Sequence, residues 1–510
     1  MKILSNDEIR NIEKSTLNAQ NIATIDLIER VGIAVAREIK QIVHPERPLV
    51  VLAGWGNNGA DALASARILA LEGYRPTIFL FNIGGDRLNE NCKIMRDRLK
   101  ETGITTFHEI TGNERFQWPE PDQNTTIIDG LFGSGLNRPL PRTFQLLAQN
   151  IKQSRAMVIS IDIPSGLFSE WNGNASRQNM MQANITLAIE FPRLAFMLAE
   201  NSEVVGNVKV MHIGYDKRAI LNAPYTFSEI DHTMVKPYLI PRKRFCSKAD
   251  FGHALIFAGS MGMAGASVLA ATSALRAGAG KVSVHSCSEN RQIVQTCVPS
   301  AIFKSDSNKS IISEMPFSTA FNSFAVGPGI GVSDETSLAL EKFVKDAAAA
   351  GKRIILDADA LNIIARKKII LSYLTPLSII TPHAGEFDRI FGQSESDEER
   401  LKKALKVAED YNLIIVLKGH RSAVIRPDGK IMFNSTGTPA MATPGSGDVL
   451  TGILAGLIAT GMISELAAFI GIYIHGLAGE IAAQEHGEYG VIAEDIANSV
   501  GKAIRQIMCN

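Results

Sequence analysis

Residues 443–452 read TPGSGDVLTG, and the fold of the second half of the chain turns on them. Thr443, Pro444, Gly445, Ser446 and Gly447 break regular structure, and Val449, Leu450, Leu454 and Leu457 then recur at helical spacing. The pattern predicts a helix whose first turn holds Asp448. Free N–H groups and the positive end of the helix dipole favour a bound anion at such a place, and glycine removes side chains that would keep a phosphate away. A carboxylate there repels that anion unless it has work to do. Asp448 is therefore either a cap for the helix or a group acting on whatever meets the anion, and the neighbouring motifs must decide.

Upstream of this stretch, short apolar runs rich in Val and Ile alternate with helical patterns, which predicts α/β architecture with parallel sheets covered by helices on both faces. HALIFAG (253–259), KVSVHS (281–286), SFAVGPG (323–329), RIILDAD (353–359), LSIITPH (377–383) and LIIVLKG (413–419) form one set. LVVLAG (49–54), PTIFLF (76–81), TTIIDG (125–130), MVISIDIP (157–164), ITLAIEF (185–191) and VKVMHIG (208–214) form another. Two sets imply two doubly wound domains, 1–224 and 225–510, separated by a proline-scattered stretch that ends in PRKR (241–244). PRKR reads as a solvated linker or a phosphate contact.

With 510 residues the chain has room for two to four domains at about 150 residues each. Lys plus Arg and Asp plus Glu each total 52, so no electrostatic footprint for nucleic acid or an anionic membrane is present, and a small-molecule partner is expected. Asp7 and Glu8 interrupt any signal-peptide core, and the apolar stretch 449–463 is shorter than the roughly 20 residues a bilayer span needs. It reads as a buried helix. Cys92, Cys246, Cys287, Cys297 and Cys509 show neither a CxxC pair nor zinc-ligand spacing, which fits a reducing, cytoplasmic setting.

Six loops follow the strands of the second domain: GSMGMAGA (259–266), GPGIG (327–331), DADALN (357–362), TPHAGEF (381–387), KGHRS (418–422) and GSGDVLTG (445–452). Open α/β sheets build sites from such loops. The set resembles the ribokinase-like superfamily, and the combination of TPHAGEF, DADALN and GSGDVLTG is similar to its NAD(P)H-hydrate dehydratase branch. The resemblance implies a ribokinase-like fold, an anion hole at Gly445, Ser446 and Gly447, and Asp448 as the base that deprotonates the attacking hydroxyl. It also implies ADP or ATP as phosphoryl donor, bound by Lys418, Gly419, His420, Arg421 and Ser422 with Gly447, and Mg²⁺ arriving with the nucleotide. Ala266, Gly329, His383 and Asp448 would line the pocket for the hydrated cofactor. From the residues alone, His383 is also compatible with a satisfied histidine at a strand end, and Asp357 and Asp359 with caps of the following helix.

In the first domain, LVVLAGWGNNGADALASARILALEG (49–73) reads as strand, loop and a helix stopped by Gly73, without a dinucleotide fingerprint and its distant acid. IIDGLFGSGLNRP and SIDIPSG place Asp129, Asp162 and Ser165 at other strand ends. These motifs, with LIERVGIAVAREI (27–39), resemble the NAD(P)H-hydrate epimerase domain, Rossmann-like in fold. The resemblance implies K⁺ on Asn58, Asp129 and Ser165. It implies substrate contacts from Asn57, Asn58, Gly59, Ala60 and Asp61, from Gly133, Ser134, Gly135, Leu136, Asn137, Arg138 and Pro139, and from Asp162, with Asp162 the acid/base. Two departures stand out: GNNGADA puts Ala60 and Ala62 where the family has glycines, and EFPRLAFM offers Arg193 where it often has a Lys-Pro-Gly turn.

The order of the two resemblances is that of the fused, bifunctional repair enzymes, a lyase and an isomerase whose substrates are NADHX and NADPHX, and a homo-oligomer is expected. The alternative is a ribokinase-like small-molecule kinase with a non-catalytic N-terminal binding domain.

Overall fold

The computed structural model describes residues 1–112, 120–173 and 175–509. The chain forms two compact units, one spanning Lys2–Thr226 and the other running from Phe227.

Among the described residues, the sheet of the first unit has seven strands: β1 (Leu49–Ala53), β2 (Pro76–Phe81), β3 (Thr106–Ile110), β4 (Thr126–Gly130), β5 (Met157–Ile161), β6 (Ile185–Ile189) and β7 (Asn207–Met211). They lie in the order β3-β2-β1-β4-β5-β6-β7, every neighbouring pair parallel. All five residues of β1 and of β4 are buried, as expected of strands covered on both faces. The edge strand β3, TFHEI, is absent from the apolar runs of the sequence, because an edge strand half-open to water needs little apolar content. The order reverses between β1 and β4, and in open α/β sheets a crevice forms there, beyond the carboxyl ends of the strands. Helix Asn57–Leu71 starts in that crevice, and Gly73, at φ +96°, lies just beyond its end. Helix Asn6–Gln20 begins with a capping box between Ser5 and Glu8.

Within the second unit the strands are β8 (Phe227–Ile230), β9 (His253–Phe257), β10 (Lys281–Ser286), β11 (Ile302–Ser305), β12 (Ser323–Val326), β13 (Ile355–Leu356), β14 (Ile379–Ile380), β15 (Ile414–Leu417), β16 (Ala423–Ile425) and β17 (Ile431–Asn434). Their order is β8-β17-β16-β15-β14-β13-β12-β9-β10-β11. From β11 to β15 all pairs are parallel, and β16 and β17 add as antiparallel strands. Here the order reverses between β9 and β12. The six glycine-rich or charged loops of the sequence lie at or near the carboxyl ends of these strands or, for GSGDVLTG, at the start of helix Ser446–Ala459.

The apolar stretch 449–463 is a nearly wholly buried helix that ends at Ala459, followed by a turn in which Gly461 takes φ +96°. The next helix, Ser464–His486, is long and apolar enough to cross a membrane, yet 72% of its most apolar window is buried inside the structure. Core packing accounts for that composition. The PRKR segment is exposed; Arg242 donates to the Gly278 carbonyl at 2.6 Å and stacks 3.8 Å above the Phe251 ring.

Candidate active sites

In the second unit Gly445 takes φ +90°, a left-handed conformation open to glycine, and so turns the chain into the helix without a side-chain cap. The Ser446 amide donates to the Thr443 carbonyl at 3.4 Å and the Val449 amide to the Gly445 carbonyl at 3.1 Å, which leaves the Gly447 and Asp448 amides to an external acceptor. Asp448 stands in that first turn. Burial, with the negative charge of Asp357 added to it, pushes its carboxyl up to about 7, against the opposing pull of Lys418. A carboxyl poised near neutrality is suited to exchanging a proton with a bound alcohol.

Lys418, at the end of β15, supplies the positive charge opposite. Its Nζ lies 2.7 Å from Asp357 Oδ1 and 3.9 Å from Glu386 Oε2. Burial works against that charge, but the surrounding carboxylates, Asp357 foremost, outweigh it and hold the ammonium above its ordinary range. A Cβ at Gly447 would lie 3.3 Å from Lys418 Nζ and 3.7 Å from Asp357 Oδ2, so the helix start faces this ion pair directly. Asp357 also accepts from Thr451 Oγ1 at 2.7 Å and is 1% exposed. It is therefore no helix cap. Asp359 accepts from the Gly331 amide at 2.9 Å and from Asn362 Nδ2 at 3.2 Å, tying the GPGIG loop to the DADALN segment.

His383 does cap: its Nδ1 accepts from the Gly385 and Glu386 amides at 3.1 and 3.3 Å. The side chain remains 55% exposed and lines, with Lys418, Gly419, His420, Ser422, Ser446 and Gly447, a cavity of about 570 Å³. His383 is thus both the cap of helix Ala384–Phe391 and a residue of this cavity, whose lining does not include Ala266, Gly329 or Asp448. Arg421 pairs instead with Glu229 and is not among the residues lining this cavity. Gly329 and Ala266 are neighbours, a Cβ at Gly329 falling 3.2 Å from Ala266 Cβ.

The first unit holds a cleft of about 560 Å³ at its strand reversal. Asn57, Asn58, Asp61, Asp162 and all seven residues from Gly133 to Pro139 line it. Gly59 and Ala60 do not: both are buried, and a Cβ at Gly59 would meet the Gly54 carbonyl oxygen at 1.9 Å. Ala60 and Ala62 lie inside helix Asn57–Leu71 without positive φ, so neither methyl group strains the backbone or lines the cleft. The glycine here that steric contact demands is Gly59.

Asp162 adopts φ +65°, strained for a residue with a Cβ. Its carboxylate accepts from Arg193 Nη2 at 2.6 Å and from the Ser134 amide at 2.9 Å. Burial alone would raise its pKa, but the Arg193 guanidinium and these bonds overcome it and hold the carboxyl below the ordinary range. Asp61 shows the opposite: burial first, then the charges of Asp162 and Glu13, push it well above the ordinary range. Glu13 is pushed up as well, by burial and by Asp162. Glu13 and Tyr215 line the cleft although no motif points to them. Arg193 is visible in the sequence only as a departure from a family pattern.

Asp129 is buried and receives Ser165 Oγ at 2.6 Å, Ser160 Oγ at 2.8 Å and the Ser165 amide at 2.9 Å. Both polar atoms of the Asn58 side chain are buried and have no hydrogen-bond partner among the described residues. The amide oxygen of Asn58, the Asp129 carboxylate and the Ser165 hydroxyl are oxygen donors of low total charge, a chemistry that suits a large monovalent cation.

Residues 254–502 match a family model described as NAD(P)H-hydrate dehydratase, and residues 24–195 match one described as YjeF-related protein N-terminus. The chain is 32% identical to the bifunctional NAD(P)H-hydrate repair enzyme Nnr of Thermofilum pendens, over 99% of this chain and 97% of that one. With the enzyme of the same name from Escherichia coli it shares 27% identity over 98% of this chain and 93% of the relative. A solved ADP/ATP-dependent NAD(P)H-hydrate dehydratase of Bacillus subtilis, co-crystallised with ATP/Mg²⁺, is similar at 26% identity and a TM-score of 0.47, covering 55% of this chain and 98% of that one.

Proposed function

Since the chain belongs to the family of bifunctional NAD(P)H-hydrate repair enzymes, we propose a division of labour in which residues 225–510 dehydrate hydrated NADH and NADPH at the expense of ADP or ATP, while residues 1–224 interconvert the epimers of the hydrate. The observation that carries the first half is the pairing of Asp448, poised at about 7, with an uncapped helix start that faces Lys418. The amides of Gly447 and Asp448 and the Lys418 ammonium hold the phosphoryl group. Asp448 takes the proton of the substrate hydroxyl, whose oxygen then attacks phosphorus as the bond to the nucleotide breaks. Loss of that phosphate from the ring carbon, with a proton leaving the adjacent carbon as the double bond forms, restores the dihydronicotinamide. His383, Gly329 and Ala266 bound the substrate side, and Mg²⁺ comes with the nucleotide phosphates.

In the first unit two carboxyls have pKa values pushed apart, which is how acid and base roles separate in one site. Asp61 keeps a proton to give. Asp162 stays ionised as the base, and through Ser134 it also fixes the 133–139 loop over the substrate. Asn58, Asp129 and Ser165 would hold K⁺, which supplies positive charge beside the cleft.

Product analysis tests this reading against a kinase that stops at a phosphate ester. Incubation of chemically hydrated NADH with ADP or ATP is expected to yield free orthophosphate and NADH in equal amounts, and accumulation of a phosphorylated hydrate would overturn dehydration. For the first unit, the conversion of the slow epimer, measured with the dehydratase half in excess, is expected to accelerate with K⁺ in the wild type. Asp129→Ala should abolish that dependence. A slow phase equally slow with or without the intact first unit, at any K⁺ concentration, would reassign it to binding or structure.

A further inference from the structure

The sequence of helix Ser464–His486 carries no chemical motif, yet His475, near its middle, lines the 570 Å³ cavity together with Ser446 and Lys418. Its Nε2 lies 3.2 Å from Ser446 Oγ. The helix around it is tied to the strand end beneath. Asn434 Nδ2 donates to the Ile472 carbonyl at 2.9 Å, and Thr436 Oγ1 to the Tyr473 carbonyl at 2.9 Å. Gly476 abuts Thr436 so closely that a Cβ would fall 2.3 Å from its Oγ1. Three residues flanking His475 are thus locked to Asn434 and Thr436, and the imidazole is fixed over the anion-binding loop.

We propose that His475 is a positioning residue for phosphoryl transfer: in its Nε2–H tautomer the ring donates to Ser446 Oγ and so turns the serine hydroxyl to donate to an oxygen of the transferring phosphoryl group. A serine hydroxyl has one proton and free rotation. Without a fixed donor behind it, Ser446 Oγ–H is free to bond elsewhere in the loop when the phosphate arrives. Burial holds His475 far down, at about 4, with the Lys418 charge acting in the same direction and a hydrogen bond to the Ser446 backbone opposing. The ring is therefore neutral at physiological pH and contributes direction, while Lys418 contributes charge. The inference rests on the reading of this cavity as the nucleotide site.

The test uses the full-length enzyme, with hydrated NADH and ADP or ATP as substrates, and compares wild type, His475→Ala, His475→Gln, Ser446→Ala and the His475→Ala/Ser446→Ala double variant. His475→Ala is expected to lower kcat about tenfold, the scale of one hydrogen bond lost in the transition state, with nucleotide KM changed less than about twofold. Glutamine, which can still present an N–H donor, should recover most of the rate. In the Ser446→Ala background the His475 substitution should cost almost nothing, because the hydroxyl it orients is gone. Equal losses in the two backgrounds, or no rescue by glutamine, would overturn the proposal by showing that His475 acts independently of Ser446. An unchanged kcat in His475→Ala would overturn it too. An inactive wild type would instead refute the assignment of the cavity, a result distinguishable from both.

Discussion

Asp448→Asn is expected to slow dehydration by a factor on the order of 10² to 10⁴, the range for a positioned general base, while nucleotide affinity is retained. Amide replaces carboxylate with the same shape, so the helix start and Lys418 keep their places. The wild-type rate should rise with pH through about 7, because the base must be ionised to accept the hydroxyl proton and burial beside Asp357 holds its carboxyl at that value. The Asp448→Asn variant should lack that inflection. Stability moves the other way. A carboxyl whose folded-state pKa lies above its unfolded value of about 3.9 contributes most below that value and loses its contribution as pH rises through the folded pKa. At pH 8 the asparagine variant should therefore melt no lower than the wild type. A rate close to wild type would leave Asp448 as a helix-start residue without a part in the chemistry.

Arg193→Met should be the most damaging substitution in the first unit. Arg193 and Asp162 are 3% and 8% exposed at the side chain and form an ion pair at 2.6 Å. Removing the guanidinium leaves a buried carboxylate on a strained backbone beside Glu13 and Asp61, and breaking such a pair from one side costs about 3–5 kcal/mol. Asp162 would then take up a proton, release Ser134 and let the 133–139 loop leave its place over the cleft. Epimerase acceleration should vanish and thermal unfolding should show the first unit melting early. The double variant Arg193→Met/Asp162→Asn should be more stable than Arg193→Met alone at neutral pH, since asparagine is neutral without taking up a proton. Equal stability of the two would mean that the pair contributes little.

Much of this arrangement can be read from local patterns. TPGSGDVLTG announces a helix start because proline and glycine interrupt the apolar period just before it, and the two sets of apolar runs imply two sheets. Local pattern fails where a partner is remote. DADALN alone does not distinguish a capping aspartate from one paired with Lys418, 61 residues further along. Glu13 sits on an amphipathic helix whose sequence carries no sign that one polar position faces a cleft. GNNGADA reads as a loop with five ligand-facing residues, but it forms the first turns of a helix, so Gly59 and Ala60 point into the packing while Asn57, Asn58 and Asp61 face the cleft. His475 is hidden for a similar reason: in a helix apolar enough to be read only as core, one histidine looks like a packed residue until its neighbour Ser446 is placed.

The central claim is that one chain returns both epimers of hydrated NAD(P)H to the reduced cofactor at the expense of a nucleotide. Its most direct test is the progress curve of reduced-nicotinamide absorbance after an epimer mixture of hydrated NADH is given to the full-length enzyme with ADP or ATP, Mg²⁺ and K⁺. Complete recovery, nucleotide-dependent and faster than spontaneous epimerisation permits, is the predicted result. No recovery, or recovery that stalls when one epimer is exhausted and then creeps at the uncatalysed rate, would contradict it.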